Sequence, residues 1–550
     1  MKPGAERCVA GTIVDPVTGE VYAGAITVSG GRIARIERND AVPGPGPRRF
    51  ILPGLVDAHV HVESSMLTPS QFARMAVRHG TVATVSDPHE IANALGLPGV
   101  EYMIRNGAAA PFTFAFGAPS CVPATPFETA GAELGPGEVD ALLAHPDIRY
   151  LSEMMNFPGV LAGDAGVMAK LASARRYGKP VDGHAPGLRG DDLQRYIDAG
   201  ISTDHESLDY EEAREKIERG MKVLIREGSA AREFDLLAGL IDEFPERCML
   251  CSDDLHPTDL VRGHINSLLR RGVAAGLGLT NLLRCATVNP VRHYGLEVGL
   301  LQLGDPADMV VVADLEDFDA VETYVRGELV AVDGAALWQA EPGEEPNMFA
   351  AAPVREESFA VGARPGKINV MEALDGQLVT PRLQLTPTIS ADLAVADPSR
   401  DLLKIAVVNR YRPAPPAVGF IRNFGLATGA MASSVAHDSH NIVAVGASDE
   451  ALALAINRVR ENQGGLAVAT PEGVYELPLP VAGLMSTQDG WEVAEAYDAV
   501  ERAAKDLGST LTSPFMTLSF MSLLVIPSLK MSDEGLFDGD SFSPVDLFVR

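Results

Sequence analysis

From Phe50 onward, short apolar runs alternate with stretches of helical spacing, and this alternation leaves few architectures open. The runs are 55–62, 81–86, 112–118, 149–154, 180–184, 201–205, 222–226 and 248–252. Between them, segments such as 70–78, 165–177, 191–199 and 209–219 carry good helix formers at helical spacing. Strand-helix repeats of this kind predict a parallel sheet, because parallel neighbours need a helix-length crossover. Eight repeats are the number that closes a (β/α)8 TIM-type barrel, so the chain is read as α/β with the barrel over residues 51–300.

The chain has 550 residues, and a barrel takes about 250, so other domains are expected. Residues 1–50 read as short strands broken by turns such as Gly30-Gly31, and β patterning returns at 307–313 and 324–332. A small flanking β-sandwich domain is therefore predicted from two pieces, 1–50 and 301–340. Helical stretches at 260–272 and 280–287 are followed by Asn289-Pro290 and then by the return to β patterning. Residues 341–361, with Pro342, Glu344, Glu345, Pro346 and Pro353, read as a linker to an additional C-terminal α+β domain at 362–550.

Charge narrows the partners. Lys+Arg 45 against Asp+Glu 74 gives −29, a surface that repels phosphate backbones and anionic headgroups. Nucleic acid and membrane are not expected partners, whereas a small neutral substrate and divalent cations are compatible. No apolar run reaches the roughly 18 to 20 residues of a membrane span, and residues 1–11 lack the apolar stretch of a leader, so a cytoplasmic protein is expected. Its five scattered cysteines fit reduced thiols. A homodimer is the expected assembly, since closed symmetric dimers are the commonest.

Barrel active sites lie at the C-terminal ends of the strands, so polar residues ending apolar runs are candidates. His59 and His61 end the first run, and a two-residue spacing on a strand puts both rings on one face. Glu153 ends the fourth run, His184 the fifth, His205 the sixth and Asp253 follows the eighth. A lone histidine is usually structural, but four imidazoles and two carboxylates at matching positions form a set suited to two Mn, Fe or Zn ions.

The stretch Pro53-Gly54-Leu55-Val56-Asp57-Ala58-His59-Val60-His61 resembles the opening motif of the amidohydrolase superfamily, and Gly304-Asp305-Pro306-Ala307-Asp308-Met309-Val310 resembles its closing β segment. Within that superfamily, several stretches resemble the adenine deaminase family: 61–66 (HVESSM), 87–90 (DPHE), 152–156 (SEMMN) and 251–254 (CSDD) in the barrel, with 436–441 (AHDSHN) and 527–531 (PSLKM) beyond it. The resemblance implies metal binding by His59, His61, His184, His205 and Asp253. Many binuclear relatives bridge their ions with a carbamylated lysine on the fourth strand; no lysine stands there, and Glu153 is read as the bridging carboxylate.

The implied reaction is hydrolytic deamination of adenine to hypoxanthine and ammonia, a step of purine salvage and adenine catabolism. C6 of adenine is a weak electrophile, so a metal-activated hydroxide is required, with water's pKa lowered toward ~7. Asp253, touching metal and hydroxide, is read as the proton shuttle. Glu63, Ser64, Asp87, His89 and Glu90 stand just past the first two strands, as substrate or supporting contacts. Asp254 is read either as a contact to a purine nitrogen or as a loop cap, and His437 and His440 as a loop closing over the mouth to meet substrate or an accessory ion. Cys248 and Cys251 mimic a zinc-binding pair, but residues three apart on a strand point to opposite faces and are read as core. The alternatives are an amidohydrolase acting on a cyclic amide or another amino-heterocycle, and a non-catalytic scaffold of the same fold, which would be expected to have lost ligands.

Overall fold

The computed structural model describes residues 6–38, 49–229, 231–340 and 343–549; of the segments read above, 1–5, 39–48, 341–342 with Pro342, and 550 lie outside these. The apolar runs become eight parallel strands: β1 (Leu55–Val60), β2 (Thr81–Ser86), β3 (Thr113–Ala118), β4 (Ile148–Met154), β5 (Val181–Gly183), β6 (Thr203–Asp204), β7 (Lys222–Arg226) and β8 (Cys248–Cys251). Every residue of β1 and β2 is buried, as expected where both faces of a parallel sheet are covered. Ladders join β1 through β5 and β6 through β8. Between β5 and β6 the join thins to contacts such as Ser202 N–H donating to Val181 O at 2.9 Å. Between β8 and β1 it is a single parallel bridge, Val60 with Asp253. Cys248 and Cys251 are both buried but fall in different core clusters, on opposite faces of β8.

The two flanks of the barrel make one continuous eight-stranded sheet. Phe50–Pro53 joins them, parallel to Arg7–Asp15 on one side and antiparallel to Met309–Val312 on the other. The sheet encloses its own small core, with Val9, Ile13, Ile26, Ile51, Met309 and Val311 inside. Gly54 then turns the chain directly into β1; a Cβ there would stand 2.4 Å from a Val82 methyl, so a residue without one is required.

Two helical readings change. The run 260–272 is two helices, Pro257–Arg262 and Ile265–Ala274, parted because His264 is drawn inward to Asp57 Oδ2 at 2.9 Å and Thr81 Oγ1 at 2.8 Å. The run 280–287 extends past Asn289-Pro290. A wide π turn, Arg284–Val288, leads into Asn289–Tyr294, where Pro290 occupies a first-turn position whose N–H is not needed.

The C-terminal part is built on an eight-stranded mixed sheet. Its alternating residues sort by size. Ala430, Ala432, Ala444 and Ala467 face helix Asp449–Glu461, while Met431, Val445, Leu466 and Val468 face the core shared with helix Gly490–Asp506 and the barrel. Residues 343–361 do not hang free: Val354 and Phe359 are buried in the core of this domain, and Ala350 N–H donates to Arg410 O at 2.6 Å. The seam to the barrel is also polar, with Ser486 N–H donating to Met66 O at 2.8 Å and Arg74 Nη1 2.8 Å from Asp489 Oδ2. No described helix is long and apolar enough to cross a membrane.

Because one apolar core runs through both parts, a chain cut after residue 350 should expose that core, elute as aggregate on size-exclusion chromatography, and lose catalytic efficiency by about 10²-fold or more through misplacement of the mouth. A monodisperse, fully active truncation would show the domain to be dispensable.

Candidate metal centre

The six residues singled out at the strand ends converge. His59 and His61 share a face of the β1 end, and their Nε2 atoms lie 3.2 Å apart. Asp57, two residues earlier, accepts Ser252 N–H at 3.0 Å and so pins the end of β8 beside β1. Asp253 is thereby delivered in a left-handed conformation (φ 57), which aspartate tolerates better than most residues. Its Oδ1 lies 3.5 Å from His59 Nε2 and 3.2 Å from His61 Nε2. Glu153 faces two ways: Oε1 is 3.5 Å from His61 Nε2, while Oε2 is 3.0 Å from His184 Nδ1 and 3.1 Å from His205 Nε2. The ligand atoms of His59, His61 and Asp253 fall within 4.8 Å of one another, as do those of His59, Glu153 and His205.

These residues fit divalent metal on the chemistry of the donors. Imidazole nitrogens facing each other at 3.2 Å, in His59/His61 and again in His184/His205, need a proton or a cation between them. Burial disfavours the charged His184 ring, yet its hydrogen bond to Glu153 and the nearby Glu206 raise its pKa to about 9. The same negative potential favours a metal ion, which binds the neutral ring and releases the proton. Burial also pushes the Glu153 carboxyl up, but hydrogen bonds from His184 and His205 outweigh it and hold the group well below the usual carboxylate range.

Residues 50–330 match the amidohydrolase family, and residues 377–543 match the adenine deaminase C-terminal domain. The adenine deaminase of Salinibacter ruber is 56% identical over 543 residues, covering 98% of this chain and 99% of its own. This chain belongs to the adenine deaminase family. That of Methanosarcina mazei is 54% identical over 554 residues, with the same coverage. Among solved structures, a β-aspartyl dipeptidase from Fervidobacterium islandicum AW-1 aligns with 62% of this chain and 99% of its own at a TM-score of 0.47 and 16% identity, a likeness too low to bear on function.

The residues expected around the cluster sort into two neighbourhoods. Ser64 Oγ donates to Asp254 Oδ1 at 2.5 Å, so the Asp254 side chain reaches across to the β1 loop. Asp87 accepts Ser152 Oγ at 2.7 Å, and its Oδ2 stands 3.1 Å from His89 Nδ1. Glu63 Oε1 accepts Ile91 N–H at 3.2 Å, and burial pushes its pKa up to about 7. His437 and His440 of the C-terminal domain are buried and both contact Glu90, one at each oxygen.

Sequence reasoning missed Arg226. It ends β7, buried, and its Nη1 donates to Asp253 Oδ2 at 2.9 Å while Nε and Nη2 reach Glu233 Oε1 at 3.0 and 2.8 Å. Glu206 also contacts Nη1. Its position at a strand end was a usable signal, but a search for ligand types passes over a cation. Burial raises the pKa of Asp253; the bonds from His59 and His61 and the charge of Arg226 overcome that and keep it well below the ordinary range.

Arg226→Met should leave the buried Asp253 and the partly buried Glu206 and Glu233 without their cation and destabilise the fold by about 3–5 kcal/mol. Arg226→Lys keeps the charge but not the planar fork, and should lower kcat by about 10²-fold while bound metal is retained. Metal analysis beside an ammonia-release assay checks this; wild-type kcat in Arg226→Lys would show that Asp253 needs no such anchor.

Proposed function

We propose that this chain hydrolyses adenine to hypoxanthine and ammonia at the barrel cluster. The observation that carries the proposal is four imidazoles and two carboxylates brought together, all but His184 buried, at the strand ends of a chain matching adenine deaminases over 98% of its length. His59, His61, Glu153, His184, His205 and Asp253 would hold two ions of Mn, Fe or Zn, with Glu153 shared between them because its two oxygens face different nitrogens. Such ions supply Lewis acidity and make coordinated water acidic near neutral pH.

The chain's own residues handle the protons. Asp253 is ionised, with Oδ2 fixed by Arg226 and Oδ1 turned into the cluster. It accepts a proton from the attacking water and returns it to the departing amino nitrogen, so that adenine and water become hypoxanthine and ammonia. The buried Glu63, pushed up to about 7, is partly protonated at neutral pH, so it can donate to a ring nitrogen as water adds and take a proton back from the C6 hydroxyl as ammonia leaves. Enclosure of the site under the C-terminal domain favours a free base over a nucleoside, whose sugar would have to be accommodated among buried side chains.

Metal-reconstituted enzyme should therefore release ammonia from adenine and scarcely from adenosine, followed by formation of hypoxanthine; comparable turnover of adenosine or none of adenine overturns the proposal, and preference for a dihydropyrimidine points to a different amidohydrolase reaction. Asp253→Asn should lower kcat by about 10²–10⁴-fold, since an amide cannot take the proton. Glu153→Gln should shift metal content toward one ion per chain; two retained ions with normal turnover would place Glu153 outside the ligand set.

A further inference from the structure

Past β2 the chain turns His89 and Glu90 toward the C-terminal domain, and the loop between strands Ala430–Ser433 and Ile442–Gly446 meets them with His437, Asp438 and His440. We infer that this seam is a third divalent-cation site, separate from the barrel cluster, with His89, Glu90 and Asp438 as its ligands and the two domains as its two walls.

The geometry is that of a built site. Ligand atoms of His89, Glu90 and Asp438 all lie within 4.8 Å of one another. His89 Nε2 is 3.5 Å from Glu90 Oε1 and 3.9 Å from Asp438 Oδ1, too far for hydrogen bonds and close enough to share an ion. Among the described residues, Asp438 Oδ2 is buried and has no hydrogen-bond partner. A carboxylate withdrawn from water with an unpaired oxygen is costly unless a cation meets it.

The surrounding bonds orient each ligand. His89 Nδ1 lies 3.1 Å from Asp87 Oδ2, the carboxylate-imidazole pairing that keeps the proton on Nδ1 and leaves Nε2 to bind metal. His440 Nδ1 accepts the Ala436 N–H at 3.2 Å, so its own proton sits on Nε2 and is donated to Glu90 Oε2. That occupies one oxygen of Glu90 and turns the other, Oε1, toward His89. His437 Nδ1 closes the remaining side of Oε1, its ring stacked on Phe520 with centroids 4.5 Å apart. One imidazole and two carboxylates suit Mn, Fe or Zn.

A cation here would tie the 436–441 loop to the barrel mouth. His89 Nδ1 is also 3.3 Å from Glu153 Oε1, so a single ring connects the seam with the barrel cluster.

The test uses the full-length chain saturated with Mn2+ and dialysed against metal-free buffer, then crystallised for an anomalous difference map at the manganese edge, with metal content measured in parallel. A peak bounded by His89 Nε2, Glu90 and Asp438, distinct from any peak among His59, His61, Glu153, His184, His205 and Asp253, is expected. Asp438→Asn should lose that peak and about one Mn2+ per chain while the barrel peaks stay. Manganese in the barrel with an empty seam overturns the inference, as does unchanged stoichiometry in folded Asp438→Asn; the wild-type map decides even if the variant does not fold. A seam peak without barrel peaks would instead overturn the barrel assignment and leave this one standing.

Discussion

A parallel barrel is free of an open edge only if its last strand pairs with its first, and here that join runs through Asp253. Its N–H donates to His59 O at 2.9 Å and its carbonyl accepts His61 N–H at 3.3 Å, so one residue supplies both backbone bonds at the top of the seam. Doing so requires the left-handed backbone, which turns the side chain off the strand and into the mouth. Closure of the fold and delivery of the carboxylate are thus one geometric event. Asp57 reinforces it from below, accepting Ser252 N–H and meeting His264. A substitution at Asp57 would therefore disturb the ligand set without touching it.

The second constraint is electrostatic. Three carboxylates of the mouth that burial alone would neutralise stay charged because each faces donors: Glu153 faces His184 and His205, Asp253 faces His59, His61 and Arg226, and Glu90 faces His437 and His440. These partners come from many separate segments of the chain. The cost of removing any one is the cost of a stranded buried charge, so the cluster is held by mutual need more than by the strength of a single pair.

This explains how much of the molecule was legible beforehand. The barrel strands could be read because both faces are buried, which makes the runs apolar and sharply bounded. The cluster could be read because ligand residue types interrupt those runs at their ends. Arg226 could not be found by the same search, since it is a cation that contacts Asp253 and is not itself a metal-binding residue type. The split of 260–272 depended on His264 reaching Asp57, 207 residues away in sequence. The segment 343–361 has the composition of a linker, and only the docking of Val354 and Phe359 gives it a place.

The contact between Glu90 and His437 spans 347 residues, and no periodicity carries such a pairing. Only the resemblance of 436–441 to an adenine deaminase segment hinted at it. Physically, that loop can be rigid because it hangs between two fully buried strands of a sheet whose large-residue face shares the barrel's core. A roof anchored in this way keeps water from the buried carboxylates and preserves the low dielectric in which their charges act strongly. His184, with its side chain 28% exposed, is the least buried of the six residues, so the β5 end is where the cluster lies nearest solvent.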